Sequence, residues 1–595
     1  MAGFLREIRS KRKSGKIYSY WVILKTFWDK KERKVRHKVI QNLGQLSAQE
    51  VEKVRTFLSL SELKPDSFVT NWDFIETKKC YSFLLPVVLD KIWRLWELNK
   101  IAEGGEEILL VPLSIMSEIL VLNRAIYPNS DYQVANWYKK TFLFKLLKIE
   151  SNLINPTRIY RTLDKIYLLE KNIQVHLSQK VKELGFSDLS LIFYDITSSY
   201  FEGWNCPLAE FGLSRDHRKD KPQILLALCV TKEGFPIYWR VLAGGIHDSK
   251  TVTETVTTLK EEFNIKDVII VMDKGMVCSD NLDFLESNRF KFIVTIGRHQ
   301  IRNLSDFPVE FLKKLGEDLE KAVKRDSRLD LVMKRYSYFT YFSDRAYYHE
   351  LKQEDKKRYI LCFNPEKFLE ERKQREEKIV SITEYFENWN RVLLKAKYSK
   401  NKELLDKEIY SYLKKRKSEN LFDIKLVSIR KKIKDRTITT YKIEARINQG
   451  KLDKQKLCDG VYCILTNLLE EQDPAFLVSS YRQRRKVEVA FSYLKGFIEI
   501  RPFYHQKEER IKAHILVCIL GYLLQVTIEN LLKKKGMEIS FQEFCRKMET
   551  GEVIELEVKN IKKTGLKLTD IPKEAKDILK ALEMEEIIQK DFYNC

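Results

Sequence analysis

The sequence predicts an α/β protein of several domains, and three observations lead to that fold class. The chain has 595 residues, which is too long for a single hydrophobic core. Short apolar runs bounded by polar turns, typical of buried strands, alternate with helical patterns between residues 186 and 300. The preceding region, from about 45 to 185, has helical periodicity, as in ILLVPLSIMSEILVLN. Strands and helices mixed in this way indicate a sheet covered by helices.

The first predicted element is a β-hairpin with a high positive charge. Two strand-like runs, KIYSYWVILKTFW and VRHKVIQNLG, flank the turn DKKERK, and the first forty residues hold thirteen Lys/Arg against three Asp/Glu. Such a hairpin could place its cations against a phosphate backbone, but a solvated surface hairpin fits this stretch equally well. Together with the helical region it makes up the first predicted domain, residues 1–185.

Two aspartates stand at predicted strand ends in the next domain, residues 186–300. Asp195 follows the run LIFY, and Asp273 follows the run VIIVM. Further strands are predicted in KPQILLALCVT, PIYWRVLAGG and FKFIVTIG. Because ligands of α/β sheets collect at strand ends, the two aspartates are expected to share a site. An isolated aspartate at a strand end is more often a cap or a turn residue.

Three further segments complete the predicted organisation. Residues 301–455 combine Glu/Lys-rich helical stretches with strand-like pieces, and we interpret them as an insertion domain. The buried-strand pattern resumes at DGVYCILTN, within a second core segment, 456–535. The tail, 536–595, is an appendage to which the sequence assigns no role.

Composition narrows the class of partner and the compartment. The net charge of +23, from 107 basic and 84 acidic residues, favours a polyanion such as nucleic acid, although a basic protein without such a ligand is the alternative. No C-x-x-C pair is present, which predicts neither a disulfide framework nor a zinc site. The start lacks the apolar core of a secretory signal, and the apolar run 515–528 is too short to span a bilayer. We therefore expect an intracellular protein.

The stretch YRQRRKVEVAFSYLK, residues 481–495, predicts a helix with two distinct faces. At about 100° per residue, four polar side chains fall on one stripe: Tyr481, Arg484, Glu488 and Lys495. Four apolar side chains fall on the opposite face and are expected in the core: Val487, Ala490, Leu494 and Phe497. A solvated ladder of ion pairs would show the same pattern, so this helix alone leaves both interpretations open.

Asp195, Asp273 and Glu488 together offer three carboxylates, whose hard oxygen atoms suit Mg²⁺ or Mn²⁺ better than zinc. Two such ions about 4 Å apart can activate a water or a 3′-hydroxyl and stabilise the leaving oxygen of a phosphodiester. The arginine, lysine and tyrosine of the stripe could hold phosphate oxygens beside them. The combination predicts metal-dependent chemistry on nucleic acid.

The chain resembles the DDE transposases of bacterial insertion sequences, in the superfamily marked by the signature Y-x2-R-x3-E-x6-K (the IS-four type). The four polar residues of the stripe match that signature position for position. The resemblance continues in the motifs YDITSSYFEG, GLSRDHRKDKPQILLALCVTKEGFPI, GGIHDSKT, VMDKGM and IEIRPFYHQKEERIKAHI. It covers roughly 190–300 and 455–530 strongly, and the amino-terminal region weakly.

The resemblance implies a ribonuclease H-like catalytic core that is split by an insertion. It implies that Asp195, Asp273 and Glu488 are the catalytic, metal-binding residues and that two Mg²⁺ or Mn²⁺ ions bind there. It also implies DNA-binding roles for Tyr481, Arg484 and Lys495. Because relatives stack a flipped base on a tryptophan of the insertion domain, it implies such a role for Trp389 as well.

The implied function is that of a transposase. Such an enzyme binds the terminal inverted repeats of its element as double-stranded DNA, cleaves them through a hairpin on the transposon end, and joins the ends to target DNA. Cutting two ends together implies a homodimer, and the implied location is the bacterial cytoplasm, at the nucleoid. The insertion is longer and more helical than the β-rich module expected of the family. This departure concerns the implied hairpin step rather than the implied metal-dependent cleavage.

Two rival functions and several nearby residues stay open at this stage. A catalytically silent or domesticated DNA-binding regulator is one rival, and a nuclease of the same fold that cuts without joining is the other. Structural roles as turns or caps are predicted for two pairs: Asp216 with His217, and His247 with Asp248. A possible extension of the phosphate track is suggested by four more residues: Arg501, His505, Arg510 and His514.

Overall fold

The structure is a computed structural model. It describes residues 3–593 with the exception of these positions: 12–16, 30–31, 61–71, 102–109, 203–204, 264, 266–267, 326–327, 344, 354–356, 434–435, 469–471, 502, 504 and 560. By compactness the chain divides into two units. The first comprises 1–82, 550–571 and 585–595, and the second comprises 83–549 and 572–584.

The described residues contain both strands and helices throughout. The strands are β1 (Phe4–Lys11), β2 (Ile17–Asp29), β3 (Lys34–Gly44), β4 (Ile75–Ser82), β5 (Leu191–Tyr200), β6 (Gln223–Thr231), β7 (Pro236–Ala243), β8 (Ile269–Met272), β9 (Lys291–Thr295), β10 (Thr340–Tyr341), β11 (Tyr347–Leu351), β12 (Arg358–Phe363), β13 (Phe422–Ile433), β14 (Arg436–Ile447), β15 (Val461–Thr466), β16 (Glu552–Val558) and β17 (Lys563–Leu568). The helices are α1 (Ala48–Leu60), α2 (Leu84–Leu95), α3 (Leu98–Ile101), α4 (Leu113–Ile126), α5 (Val134–Tyr138), α6 (Leu143–Leu146), α7 (Pro156–Ile166), α8 (Glu170–Glu183), α9 (Val252–Glu261), α10 (Ser279–Ser287), α11 (Arg298–Arg302), α12 (Val309–Lys324), α13 (Leu329–Met333), α14 (Pro365–Leu394), α15 (Lys402–Lys415), α16 (Gln449–Lys456), α17 (Pro474–Arg482), α18 (Arg485–Lys495), α19 (Glu508–Lys534), α20 (Phe541–Met548), α21 (Lys573–Ala581) and α22 (Lys590–Tyr593). The mixed α/β class expected from the sequence is confirmed.

The first unit contains the predicted basic hairpin. Strands β2 and β3 pair antiparallel from the register Asp29↔Lys34 onward, and β1 pairs with the other side of β2. Lys30 and Lys31, at the predicted turn, lie outside the described residues. The same unit holds a second sheet, in which β16 lies between β4 and β17. Part of the predicted appendage, 552–568, therefore completes a sheet that begins with β4.

A large mixed sheet organises the second unit. In the described part of the chain it has nine strands in the order β10-β11-β12-β15-β9-β8-β5-β6-β7. Strand β8 is parallel to both of its neighbours, β5 and β9, and the other pairings are antiparallel. All nine residues of β6 are buried, which explains why QILLALCVT reads as a continuous apolar run.

The predicted insertion, 301–455, contains two different kinds of structure. Its strands β10, β11 and β12 pair into the large sheet through β15 and so extend the same layer. The later part, with α14, α15 and the hairpin β13–β14, has a hydrophobic core of its own around buried side chains such as Ile382, Leu405 and Ile443. The long charged helices and the strand-like pieces of the sequence thus belong partly to the sheet and partly to this separate core.

The apolar run 515–528 lies within the long helix α19, as predicted for a buried helix. This helix is long and apolar enough to cross a membrane by length and composition, but 83% of its most apolar window is buried inside the protein. Core helices of water-soluble domains share those features, so α19 is weak evidence for a membrane span. Its buried side chains pack against α4 and α7.

Candidate active site

The two aspartates of the predicted site lie side by side on neighbouring strands. Strands β5 and β8 are parallel, and their register pairs Ile192 with Ile270 and Phe193 with Val271. The same register, continued by two residues, brings Asp195 next to Asp273. A pair of adjacent carboxylates at this edge follows directly from parallel pairing.

One expectation about these strands is wrong. Asp195 does not end its strand, because β5 continues to Tyr200 by pairing with β6 alone. Strand β8 ends at Met272, so Asp273 follows its last residue as predicted. The carboxylate of Asp195 therefore becomes accessible where its neighbour ends rather than where its own strand ends.

The helix predicted over 481–495 is two helices. Helix α17 ends at Arg482 and α18 begins at Arg485. Between them the backbone tightens, since the Arg484 N–H donates to the Tyr481 carbonyl at 3.0 Å, an i→i+3 bond. Tyr481 and Glu488 are consequently on different helices. The prediction that they share one face of a single straight helix is therefore wrong.

The apolar face of the second helix is nevertheless as predicted for three of its four members. Val487, Ala490 and Leu494 are buried. Phe497 lies beyond the end of α18, after Gly496, and is only half-buried. The core side of this helix orients Glu488 and Lys495 away from the hydrophobic interior.

Arg484 connects two of the three predicted metal ligands. Its Nη1 donates to Asp195 Oδ2 at 3.2 Å, and its Nη2 donates to Glu488 Oε1 at 2.6 Å. Adding the about 2.3 Å between the terminal nitrogens of a guanidinium, the two carboxylate oxygens lie no more than about 8 Å apart. The structure thus brings Asp195, Asp273 and Glu488 around one arginine.

The electrostatics of the site are those of a carboxylate cluster that attracts a cation. Burial is the main reason that the pKa of Asp195 is raised to about 6; Arg484 opposes this rise, and the negative charge of Asp273 contributes to it. The side chains of Asp195 and Arg484 are each 17% exposed, whereas Glu488 is 51% exposed. The site is therefore open to solvent on the Glu488 side.

The ligand atoms of the three carboxylates are not all close to one another in the structure. Among the described residues, their ligand atoms do not form a group in which all lie within 4.8 Å of one another.

Tyr481 and Lys495, the other members of the stripe, do not contact the carboxylates. The Tyr481 hydroxyl is hydrogen-bonded to Thr295 Oγ1 at 3.1 Å, and burial raises its pKa. Lys495 Nζ donates to Asp216 Oδ1 at 2.8 Å. Both residues flank the carboxylate cluster, Tyr481 on the β9 side and Lys495 on the side where β5 ends.

The structure adds two ion pairs to the structural role predicted for Asp216. Its side chain is only 4% exposed and forms ion pairs with both Lys495 and Arg501, so it is more than a turn or a cap. Its neighbour His217 has a positive φ of 58°, as turn residues do. No sequence signal separated Asp216 from the many charged residues of GLSRDHRKDK, because its partners lie 279 and 285 positions away in the chain.

The remaining candidates lie elsewhere in the second unit. Trp389 on α14 is partly buried and packs against the core of the insertion, with its ring centroid 6.4 Å from that of Tyr385. Arg510 pairs with Asp164 at 2.6 Å. In the structure, Trp389 and Arg510 thus each contact other side chains of the protein.

A second group of possible metal ligands consists of Asp131, His505 and His514, whose ligand atoms lie within 4.8 Å of one another. His505 Nε2 is 2.8 Å from Asp131 Oδ2, and Arg124 lies 3.5 Å from the same carboxylate. Burial, followed by the charge of Arg124, lowers the pKa of His514 to about 3. The Asp131 charge is already balanced by Arg124, which disfavours an additional dication here.

Comparison with known proteins identifies the family. The family model described as "Transposase DDE domain" matches residues 207–524, more than half of the chain. The chain belongs to this transposase family. A second model, described as "IS1634 family transposase, N-terminal domain", matches residues 5–60, which contain β1, β2, β3 and α1. The protein is thus a DDE transposase of an insertion sequence, an enzyme of metal-dependent DNA cleavage and transfer.

Two further comparisons complete the picture. Among solved structures, the transposase is similar to a piggyBac transposase in a synaptic complex with hairpin DNA determined by cryo-EM. The identity is 11% and the TM-score 0.33, with 78% of this chain and 79% of that chain covered. No curated protein matches the sequence. The DDE match contains Asp273 and Glu488, whereas Asp195 lies twelve residues before it starts.

Proposed function

We propose that Asp195, Asp273 and Glu488 form the catalytic site of this transposase and together hold two divalent ions, Mg²⁺ or Mn²⁺. The observation that carries the proposal is the convergence of the three carboxylates, through the β5–β8 register and the Arg484 bridge. Oxygen donors of this kind suit hard divalent cations. When bound, such ions activate a hydroxyl nucleophile and stabilise the leaving oxygen of a phosphodiester.

The catalytic core is proposed to be ribonuclease H-like. The strand order β7-β6-β5-β8-β9, with three antiparallel strands followed by two parallel ones, supports this assignment. The chain leaves this core after β9 and returns with β15, ahead of the helix that carries Glu488. The proposed domains are 1–185, 186–300, 301–455, 456–535 and 536–595. Strands β10, β11 and β12 of the proposed insertion join the common sheet.

Arg484, Lys495 and Tyr481 are proposed to hold phosphates of the DNA end. Arg484 is occupied by two carboxylates in the structure, so it would turn to DNA once cations replace it between Asp195 and Glu488. Trp389 stays a prediction as a base-stacking residue. The basic hairpin β2–β3 and the helices that follow are proposed to bind the terminal inverted repeats, because the first forty residues hold thirteen Lys/Arg against three Asp/Glu.

The complete proposed reaction is binding of both element ends by a homodimer, cleavage through a hairpin, and joining to target DNA in the bacterial cytoplasm. Cutting and joining use one site, so a nuclease that does not join would have the same carboxylates. A silent regulator would need none of them. The experiment below separates these three functions.

The test uses DNA that contains the ends of the element with their flanks, incubated with purified protein and Mg²⁺ or Mn²⁺. We expect wild type to nick the ends and to yield hairpin and joined products. Asp195→Ala, Asp273→Ala and Glu488→Ala should each abolish cleavage while retaining end binding in a gel-shift assay. Asp283→Ala, which changes an exposed aspartate on α10, is the matched control. Wild-type cleavage by any one of the three site variants would remove that residue from the site.

A further inference from the structure

We propose that Asp216 is a positioning residue that holds Lys495 and Arg501 together as one two-cation clamp for a phosphate of the DNA end. This inference rests on the proposed function, in which Lys495 binds DNA. Asp216 Oδ1 accepts a hydrogen bond from Lys495 Nζ at 2.8 Å and also contacts Arg501 Nη1. Both cations therefore converge on a single oxygen atom of a carboxylate that is 4% exposed.

The carboxylate of Asp216 is itself fixed to the catalytic strand. Its second oxygen, Oδ2, accepts the backbone N–H of Tyr200 at 3.3 Å, and the preceding residue, Arg215, donates its N–H to Ser198 Oγ at 2.7 Å. Ser198 and Tyr200 are on β5, the strand that carries Asp195. The position of Asp216 is thus set by the same strand that sets a predicted metal ligand.

Lys495 is tied in the same way to the other side of the site. It shares α18 with Glu488, seven residues earlier. At 1.5 Å per residue, this separation places the lysine about 10 Å along the helix from that carboxylate. The Asp216–Lys495 pair consequently joins strand β5 to helix α18, and it fixes the distance between the clamp and the catalytic carboxylates.

The charge of the clamp suits one phosphodiester. One carboxylate and two cations leave a net charge of about +1, which matches the single negative charge of a DNA phosphate. Lys495 is 17% and Arg501 is 27% exposed, so both remain accessible from one side. The Arg501 guanidinium also lies 5.4 Å from the Tyr200 ring, which limits its motion.

If Asp216 had a purely structural role, its replacement by Asn would change DNA affinity only through the change in net charge. Asp216→Asn removes one negative charge, which by long-range attraction alone strengthens DNA binding. Asp220→Asn removes the same charge from the same loop, but Asp220 is 62% exposed and pairs only with Arg218 among the contacts described. It is the matched control for the effect of net charge.

The experiment measures the Kd of each full-length variant for a pre-cleaved element end, by fluorescence anisotropy at several salt concentrations. Lys495→Ala should bind about tenfold more weakly, the loss of one charge-assisted hydrogen bond. Asp216→Asn should weaken binding by a similar factor despite its favourable charge change, and Asp220→Asn should bind as tightly as wild type or more tightly. The double variant Asp216→Asn/Lys495→Ala should match Lys495→Ala alone, because both changes disable the same clamp.

The pH dependence of end binding tests whether the Asp216 carboxylate acts on the Lys495 amine during binding. The charged groups around the Lys495 amine are Asp216, Arg501 and Arg215, and Asp216 alone favours its protonated form. In Asp216→Asn, Lys495 should lose its proton at a lower pH, so that binding falls at a lower pH than in wild type. Asp220→Asn should leave that midpoint unchanged.

The outcomes distinguish the inference from the function on which it rests. If Lys495→Ala binds the end as wild type does, the proposed phosphate role of Lys495 fails. If Lys495→Ala is weakened while Asp216→Asn binds like Asp220→Asn, or if the two changes are additive, only the positioning role is overturned. Should Asp216→Asn unfold, Asp216→Asn/Lys495→Met removes one of the two cations that lose their carboxylate partner. A Kd equal to that of Lys495→Met would then support the clamp, and a further tenfold loss would overturn it.

Discussion

Arg484 occupies the position between carboxylates that a cation is proposed to take, which makes its replacement the most informative perturbation of the site. Arg484→Gln keeps a long polar side chain but removes the positive charge. Metal binding to wild type must separate the arginine from Asp195 and Glu488, whereas in the variant no such contacts are lost. We therefore expect the variant to bind divalent ions more tightly in the absence of DNA.

The size of the effect follows from the two contacts. A hydrogen bond to a charged group contributes about 1.5–3 kcal/mol. The contact with Glu488, a side chain that is 51% exposed, is discounted to below about 1 kcal/mol by solvent screening. The contact with Asp195 has both partners at 17% exposure and retains most of its value. A total of about 2 kcal/mol corresponds to an about thirtyfold lower Kd for the ion.

The assay is titration with Mn²⁺, in which the electron paramagnetic resonance signal of free Mn²⁺ reports the bound fraction. Arg485→Gln is the control, because it removes an identical charge from the adjacent, exposed position. Arg484→Gln should also bind a pre-cleaved DNA end more weakly than wild type, so the two affinities should change in opposite directions. Mn²⁺ affinity equal to or weaker than that of Arg485→Gln would refute the competition between arginine and metal.

Two further predictions concern stability. Asp459 is 1% exposed and accepts a hydrogen bond from Arg375 Nη1 at 2.6 Å. Asp459→Asn should therefore lower the free energy of unfolding, measured by urea titration, by about 3–5 kcal/mol. A decrease below about 1 kcal/mol would contradict this prediction. His514 is neutral when folded because burial lowers its pKa from 6.5 to about 3, so only the unfolded chain gains its proton as pH falls below 6.5. Wild type should therefore lose about 2 kcal/mol more stability than His514→Gln between pH 7.5 and pH 5, and parallel pH profiles of the two proteins would refute it.

The sequence predicted those parts of the site that depend on local pattern. Continuous apolar runs marked β5, β6, β8 and β9, and Asp273 follows the last residue of β8, as the run VIIVM predicts. The burial of Val487, Ala490 and Leu494 followed from helical periodicity alone. In each case the information lies within a few neighbouring residues.

What the sequence could not predict depends on pairing between distant segments. The continuation of β5 past Asp195 is determined by pairing with β6, from Ile196↔Ala227 to Tyr200↔Gln223. Strands β10–β12 join the sheet through pairing with β15. The pairing of Asp216 with Lys495 has no local pattern at all. The resemblance to a family implied DNA-binding roles for Arg484 and Lys495. It did not indicate which carboxylates these two side chains contact in the structure.

The break between α17 and α18 has a consequence for the site that a continuous helix would lack. A helix N-terminus carries about half a positive charge, from N–H groups that have no partner within the helix. Because α18 begins at Arg485, Glu488 lies in its first turn, and Arg484 is the residue immediately before it. A carboxylate in the first turn of a helix is stabilised by the helix dipole, and Arg484 adds a direct contact with Glu488. The N–H groups of Lys486 and Val487 are bonded to the carbonyls of Gln483 and Arg484, at 2.8 and 3.1 Å, so the break gives these groups i→i+3 partners instead of the i→i+4 partners of a continuous helix. The tight turn therefore brings Glu488 to the start of a helix without leaving these two N–H groups unpaired.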